Sequence, residues 1–177
     1  TTNGSVSAPP TLPTLTYTIT GLDLTSVGGT ASETIVYDVV FTQTGGTGIQ
    51  FSGFGNIAVT GGNNAQVDNT ETLTATLSLN STTFTGDIDL GIVQMAAGGN
   101  QASDSWNVIH EGGTESLTGS PNGVTFDPSS FVTLDPQSGN GVNLQRLEVQ
   151  VTAAPEPGSL ALLGLGGLFV AARRRRA

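Results

Sequence analysis

The sequence contains no cysteine, no lysine and a single histidine, His110. The absence of cysteine excludes disulfide bonds, thiol catalysis and cysteine-ligated metal sites. A single histidine excludes a multi-histidine metal site within one chain. Charged residues make up only 11 % of the chain, against about 25 % in an ordinary soluble domain. Polarity is therefore carried by Thr, Ser, Asn and Gly.

Positive charge is almost confined to the C-terminal end. Arg146 is one of the five basic residues. The other four are Arg173, Arg174, Arg175 and Arg176. Residues 1–154 carry 13 acidic residues against one base, a net charge of −12, whereas residues 155–177 carry +3. Because binding to a phosphate backbone needs clustered basic side chains, we do not expect this body to bind nucleic acid.

Short segments of alternating apolar and polar residues indicate β-strands. They fall at residues 15–20, 35–41, 49–60, 72–79, 87–92, 106–108, 124–126 and 146–152. Gly- and Asn-rich turns separate them, and no amphipathic helix of ten residues is present. The pattern predicts an all-β body, an antiparallel β-sandwich or jelly roll. A β-solenoid is less favoured, because no fixed repeat is visible.

Three regions follow from composition. Residues 1–13 are polar, contain three prolines and show no alternation, so we expect disorder there. Residues 14–153 form the predicted β domain, and residues 154–177 form a separate tail. An exported protein is made with a signal peptide, and the sequence has neither an initiator Met nor an apolar start. We therefore expect that such a peptide was removed or omitted.

The tail has three consecutive parts. It opens with Pro155, Glu156 and Pro157, continues through the uncharged segment 159–172, and ends in the arginine cluster. As a helix the apolar segment is about 21 Å long, short for a bilayer core of about 30 Å. The arginines orient such a helix with the acidic body outside the cytoplasm. The pattern predicts a short hydrophobic helix that spans the membrane transiently.

These three parts resemble the PEP-CTERM sorting signal of Gram-negative bacteria. The resemblance covers the tail alone. It implies that a membrane-embedded exosortase recognises Pro155, Glu156 and Pro157, cleaves near them, and uses the arginine cluster as a stop signal. It also implies delivery to the cell surface or the extracellular matrix. An ordinary short membrane anchor with a basic stop is the alternative interpretation.

Asp87 and Asp89 lie two positions apart on one predicted strand face, about 7 Å from each other. Paired carboxylates can act in glycoside hydrolysis or bind calcium, although a solvated strand face explains them more simply. Asp68 and Glu71 are a similar candidate for calcium. Trp106 is either a sugar-stacking platform or, as is commoner for a lone Trp, a core residue.

A Ser-His-Asp triad would need His110 together with Ser105 and Asp104. The sequence has no G-x-S-x-G elbow, and on one strand Ser105 and His110 face opposite sides. We therefore expect no catalysis and no cofactor, with calcium as the one metal considered. The leading hypothesis is an exported structural or adhesive β protein. The alternatives are a carbohydrate-binding module of the polysaccharide matrix and, less favoured, a glycoside-active enzyme.

Overall fold

The structure is a computed structural model that describes residues 14–20, 25, 30–51, 56–60, 66–99, 101–119 and 122–154. These residues form eleven strands and no α-helix. The strands are β1 (Thr14–Ile19), β2 (Ile35–Thr44), β3 (Gly48–Phe51), β4 (Ile57–Thr60), β5 (Thr72–Thr82), β6 (Asp87–Gly99), β7 (Ser105–His110), β8 (Gly113–Thr118), β9 (Asn122–Ser129), β10 (Phe131–Ser138) and β11 (Val142–Ala154). The segment 1–13, with its predicted disorder, and the tail from residue 155, with its predicted helix, lie outside the described residues.

The strands form two sheets. The six-stranded sheet has the order β1-β2-β5-β10-β7-β8, and the five-stranded sheet has the order β3-β4-β11-β6-β9. All of their strand pairings are antiparallel. The prediction of an all-β, antiparallel body is therefore confirmed for the described part of the chain.

One hydrophobic core draws residues from both sheets. In β2 the alternate residues Ile35, Tyr37, Val39 and Phe41 are all buried, and β2 lies between β1 and β5, as its two partly apolar faces predict. Met95 on β6 contributes to the same core from the five-stranded sheet. Burying a side chain of this size stabilises the fold by roughly 1.5–3 kcal/mol.

At two places the chain crosses from the six-stranded sheet to the five-stranded sheet between consecutive strands. β5 belongs to the six-stranded sheet and β6 to the other, and β10 and β11 repeat this step. β10 pairs with β5 in one sheet, and β11 pairs with β6 in the other. The second pair therefore lies alongside the first across both layers, which ties the two sheets together through chain connectivity as well as through the core.

Three strands of the six-stranded sheet each begin after a turn with the same hydrogen-bond pattern. Before β2, the backbone N–H of Thr30 donates to the Glu33 carboxylate (2.5 Å), and the Glu33 N–H donates to the Thr30 carbonyl (3.1 Å). The turn 68–71 before β5 repeats this pair at 3.0 and 2.9 Å. The turn 101–104 before β7 repeats it at 2.9 and 3.2 Å. The matching sequences are ASETI, NTETL and ASDSW.

The sequence patterns did not predict β8 and β10. β10 alternates correctly, with Val132 and Leu134 fully buried, but Pro136 argues against a central strand because proline cannot donate to a neighbour. The structure accommodates Pro136 next to a register shift between Pro136 and Ser138 in the pairing with β7. β8 is mostly exposed along its length, so it lacks the apolar alternation that identifies a strand.

The turn before β7 generates a stability prediction. Asp104 is fully buried, and its two carboxylate oxygens accept the N–H groups of Gln101 (2.9 Å) and Asn140 (3.1 Å). Hydrogen bonds to charged groups contribute roughly 1.5–3 kcal/mol each. We expect Asp104→Ala to lower the free energy of unfolding, measured by urea denaturation, by about 2–4 kcal/mol.

Asp104→Asn keeps one acceptor oxygen and should lower the free energy of unfolding by about half as much. The control is Asp87→Ala, because Asp87 is exposed and exposed substitutions usually change stability by less than about 0.5 kcal/mol. Equal stability of the Asp104→Ala and Asp87→Ala proteins would contradict the assigned role of the turn.

Candidate functional site

The two aspartates proposed as a paired-carboxylate site are on the protein surface. Asp87 and Asp89 are exposed on β6, in register with Ala154 and Thr152 of β11. Among the described residues, no three His, Asp or Glu side chains are grouped so that they could hold a metal ion. The geometry of this pair matches a solvated strand face, and calcium binding there stays a prediction.

Trp106 has no exposed surface. It lies on β7, in register with Leu117 of β8 and Pro136 of β10, and it belongs to the shared core. Its indole Nε1 is buried, with no hydrogen-bond partner in the structure. A ring in this position offers no face to a sugar in solvent, so the burial favours the core interpretation of Trp106.

The structure does not bring Ser105, His110 and Asp104 together as a triad. The Ser105 hydroxyl bonds the hydroxyl of Ser138 at 2.6 Å, and Asp104 is occupied by backbone N–H groups. The burial of β7 alternates, with Ser105 half-buried and His110 buried. His110 therefore shares the core-facing side with Trp106, as strand parity predicts, and Ser105 lies on the other face.

His110 lies at a cleft between the two sheets. Its ring stacks on Phe126 of β9, with centroids 4.4 Å apart and planes 14° from parallel. Its Nδ1 accepts the backbone N–H of Gly112 at 3.2 Å, and its Nε2 is buried and unpartnered in the structure. The cleft has a volume of about 490 Å³. Its lining residues are His110, Gly112, Glu115, Thr125, Phe126 and Asp127.

Sequence reasoning missed this cleft. His110 is on β7 of the six-stranded sheet and Phe126 is on β9 of the five-stranded sheet, so nothing in their spacing indicates that they stack. The one available signal is a lone histidine at a predicted strand end with Glu111 and Glu115 close behind it. That signal identifies a polar strand end and leaves its partner unknown.

The second calcium candidate, Asp68 with Glu71, forms the turn before β5. Glu71 is only 3 % exposed, and its carboxylate accepts the Asp68 N–H at 3.0 Å. Burial raises the pKa of Glu71. The hydrogen bond from the Asp68 N–H lowers this pKa, and the negative charge of Asp68 raises it. A Cβ atom added to Gly46 would lie only 2.9 Å from Glu71 Oε1. The backbone at Gly46 therefore packs directly against the Glu71 carboxylate.

Glu111, next to His110, is held in a different way. Its Oε1 accepts the Ser130 N–H at 3.2 Å and also the Ser130 hydroxyl, and its own N–H donates to the Ser129 hydroxyl at 3.2 Å. The two bonds from Ser130 lower the pKa of Glu111. These bonds connect the β7–β8 turn to the β9–β10 turn, and so they link the two sheets beside the cleft.

Comparison with known proteins bears on the tail. Residues 153–176 match the family model of the PEP-CTERM protein-sorting motif, which confirms the resemblance predicted from the proline triplet, the apolar run and the arginines. A search of curated proteins returned no match to the chain. A search of solved structures also returned none.

The motif suggests an exosortase-sorted extracellular protein. It implies recognition by an exosortase-type membrane enzyme, export and sorting to the cell surface. The proline triplet Pro155, Glu156 and Pro157 and the cluster Arg173–Arg176 fall within the match but outside the described residues. Within the part of the chain that the structure describes, no helix has the length and apolarity needed to cross a membrane.

Glu71 and Glu111 generate opposite pH predictions. Both carboxyls have an ordinary pKa of 4.5; that of Glu71 is raised in the fold and that of Glu111 is lowered. The stabilising contribution of Glu71 is complete below pH 4.5 and is lost as the pH rises through its folded pKa. The contribution of Glu111 is present above pH 4.5 and is lost as the pH falls through its folded pKa.

The measurement is the free energy of unfolding as a function of pH for the parent protein, Glu71→Gln and Glu111→Gln. We expect Glu71→Gln to remove a decrease in stability that the parent shows just above pH 4.5. Glu111→Gln should remove a loss of stability that the parent shows just below that pH. Parallel curves for all three proteins would contradict the assigned environments.

Proposed function

We propose that this protein is an exported surface or matrix protein whose β body has a structural or adhesive role without catalysis. The observation that carries the proposal is the sorting motif at residues 153–176. The charge division supports it, because residues 1–154 carry −12 and residues 155–177 carry +3. A body with few basic residues stays free of nucleic acid and repels other copies of itself.

The tail is proposed to act as a temporary membrane anchor. Proline cannot continue a helix from the preceding turn, so Pro155 and Pro157 separate the last strand from the apolar run. Three glycines, Gly164, Gly166 and Gly167, lower the helix stability of that run. A short, weak helix behind a basic stop holds the body outside the cytoplasm long enough for the exosortase to act on the proline triplet.

The outer face of the six-stranded sheet supports an adhesive role. Thr14, Thr42, Thr74 and Thr133 are register partners across β1, β2, β5 and β10. The hydroxyls of Thr74 and Thr133 are hydrogen-bonded at 2.8 Å, and both Thr14 and Thr42 are exposed. A row of threonines about 4.8 Å apart presents hydroxyl and methyl groups without net charge, which suits contact with many neutral surfaces.

The fold proposed for the body is a β-sandwich wrapped as a jelly roll. The shared core supports the sandwich, because two stacked sheets bury their facing side chains against each other. The paired crossings of β5–β6 and β10–β11 support the wrapping. Folds of this kind carry many unrelated functions, so the fold does not select among the proposed roles.

The absence of catalysis is proposed from the described geometry. Ser105 and His110 lie on opposite faces of β7, and Asp87 and Asp89 lie on an exposed strand face. Ser105 therefore cannot be activated by His110, and neither Asp87 nor Asp89 lines the cleft beside His110, where acid–base chemistry would need a positioned partner. Incubation with a library of glycans and esters tests this, and turnover that His110→Ala or Asp89→Asn abolishes would overturn it.

Processing of the tail is the main test of the sorting route. In a host that carries an exosortase, we expect the surface-released protein to be lighter than the full chain because it lacks the arginine cluster. Mass spectrometry of the released protein checks this. A released protein that still ends at Ala177 would refute processing.

The matched variants separate recognition from simple anchoring. Pro155→Ala with Pro157→Ala should leave the uncut chain in the membrane fraction. The control Pro9→Ala with Pro10→Ala removes the same number of prolines far from the motif and should be released normally. Retention of both variants in the membrane fraction would favour the plain anchor, and equal release of both would contradict recognition through the proline triplet.

A further inference from the structure

The cleft beside His110 lies where the two sheets meet at their edges. Among the described strands, β8 ends the six-stranded sheet and β9 ends the five-stranded sheet, and both contribute lining residues. Its volume of about 490 Å³ falls within the range of about 300–1,000 Å³ for small-ligand sites. We propose that this cleft binds a neutral, hydroxyl-rich ligand, a short stretch of uncharged saccharide.

The charges of the lining exclude anions. Glu115 and Asp127 contribute two carboxylates, and none of the lining residues is an arginine or a lysine. The one guanidinium of residues 1–154, Arg146, is on β11, two strands away from β9, and is ion-paired with Glu148. A phosphate, sulfate or uronate group would therefore meet like charge without compensation.

The polarity of the lining excludes lipids and other apolar ligands. Phe126 is the single large apolar side chain among the lining residues. Glu115, Thr125 and Asp127 are exposed there and carry hydrogen-bonding groups that an apolar ligand would desolvate without replacing their bonds to water. A ligand that fills this cleft has to offer hydrogen bonds along most of its surface.

Hydroxyl groups fit better than a cation because the cleft has both acceptors and donors. The carboxylates of Glu115 and Asp127 accept, whereas the Thr125 hydroxyl can donate. At His110, Nδ1 accepts the Gly112 N–H, so the neutral ring carries its proton on Nε2. That donor is buried and lacks an acceptor in the structure. An ammonium group can only donate, but a saccharide hydroxyl can serve both kinds of partner.

The aromatic ring in the cleft is fixed before any ligand binds. Phe126 is half-buried, and its ring is held nearly parallel to the imidazole of His110. Glu111 and Ser130 connect the neighbouring turns. A preformed wall lowers the entropy that binding must otherwise spend on ordering side chains. This proposal replaces Trp106 as the saccharide contact and concerns the body alone, so it stands or fails separately from processing of the tail.

The experiment is a calorimetric titration of the full-length chain in a mild detergent. The probes are neutral hexasaccharides of glucose and of mannose, hexagalacturonate as the anionic probe and spermidine as the cationic probe. We expect binding of at least one neutral hexasaccharide and weaker or no binding of the charged probes. The double variant Glu115→Gln, Asp127→Asn should weaken that binding at least about tenfold, because it removes charged acceptors.

The control is Asp87→Asn, an exposed carboxylate at the other end of β6, which should leave the affinity unchanged. Both changed residues of the double variant are exposed, and an unaltered circular dichroism spectrum and melting temperature will show that it is folded. Preference for hexagalacturonate or spermidine, failure of both neutral probes, or equal affinity of the double variant and the parent would overturn the proposal.

Discussion

The structure depends on carboxylates that are bound by neutral groups, because the body has almost no cations. Residues 1–154 contain 13 acidic side chains and one arginine, so ion pairs can satisfy very few of them. Glu33, Glu71 and Asp104 instead accept backbone N–H groups three residues earlier. Glu111 accepts both donors of Ser130. Such bonds anchor turns without a basic partner.

The three turns held by these carboxylates lie at the starts of strands. Each of the three reciprocal turns directly precedes β2, β5 or β7 of one sheet, so each fixes where a strand begins. The Asp104 turn also holds the β10–β11 loop through Asn140. A Cβ at Gly139, whose φ is +96°, would overlap the Asp104 carboxylate. Only glycine allows the loop to approach this closely in that conformation.

The sequence was sufficient for the all-β, antiparallel class and for the sorting motif of the tail, and insufficient for the cleft. Alternation in β2 and β5 identifies buried faces because side chains alternate along any strand. It failed at β10, where Pro136 looks like a strand breaker, although a register shift lies beside it. The turn pattern was visible three times in the sequence, but nothing there indicates that the carboxylates reach back. The His110–Phe126 contact required the strand order, which spacing does not determine.

The division of charge gives the tail a physical role beyond recognition. Attached to a body of charge −12, the four arginines would be attracted to it if both were on one side of a membrane. On the proposed route a bilayer separates them, because the arginines stay cytoplasmic and the body is outside. Cleavage near the proline triplet would leave a body whose charges are almost all negative. Mutual repulsion then keeps released copies apart, and association must involve neutral groups, such as the hydroxyls of the threonine row or an uncharged saccharide in the cleft beside His110.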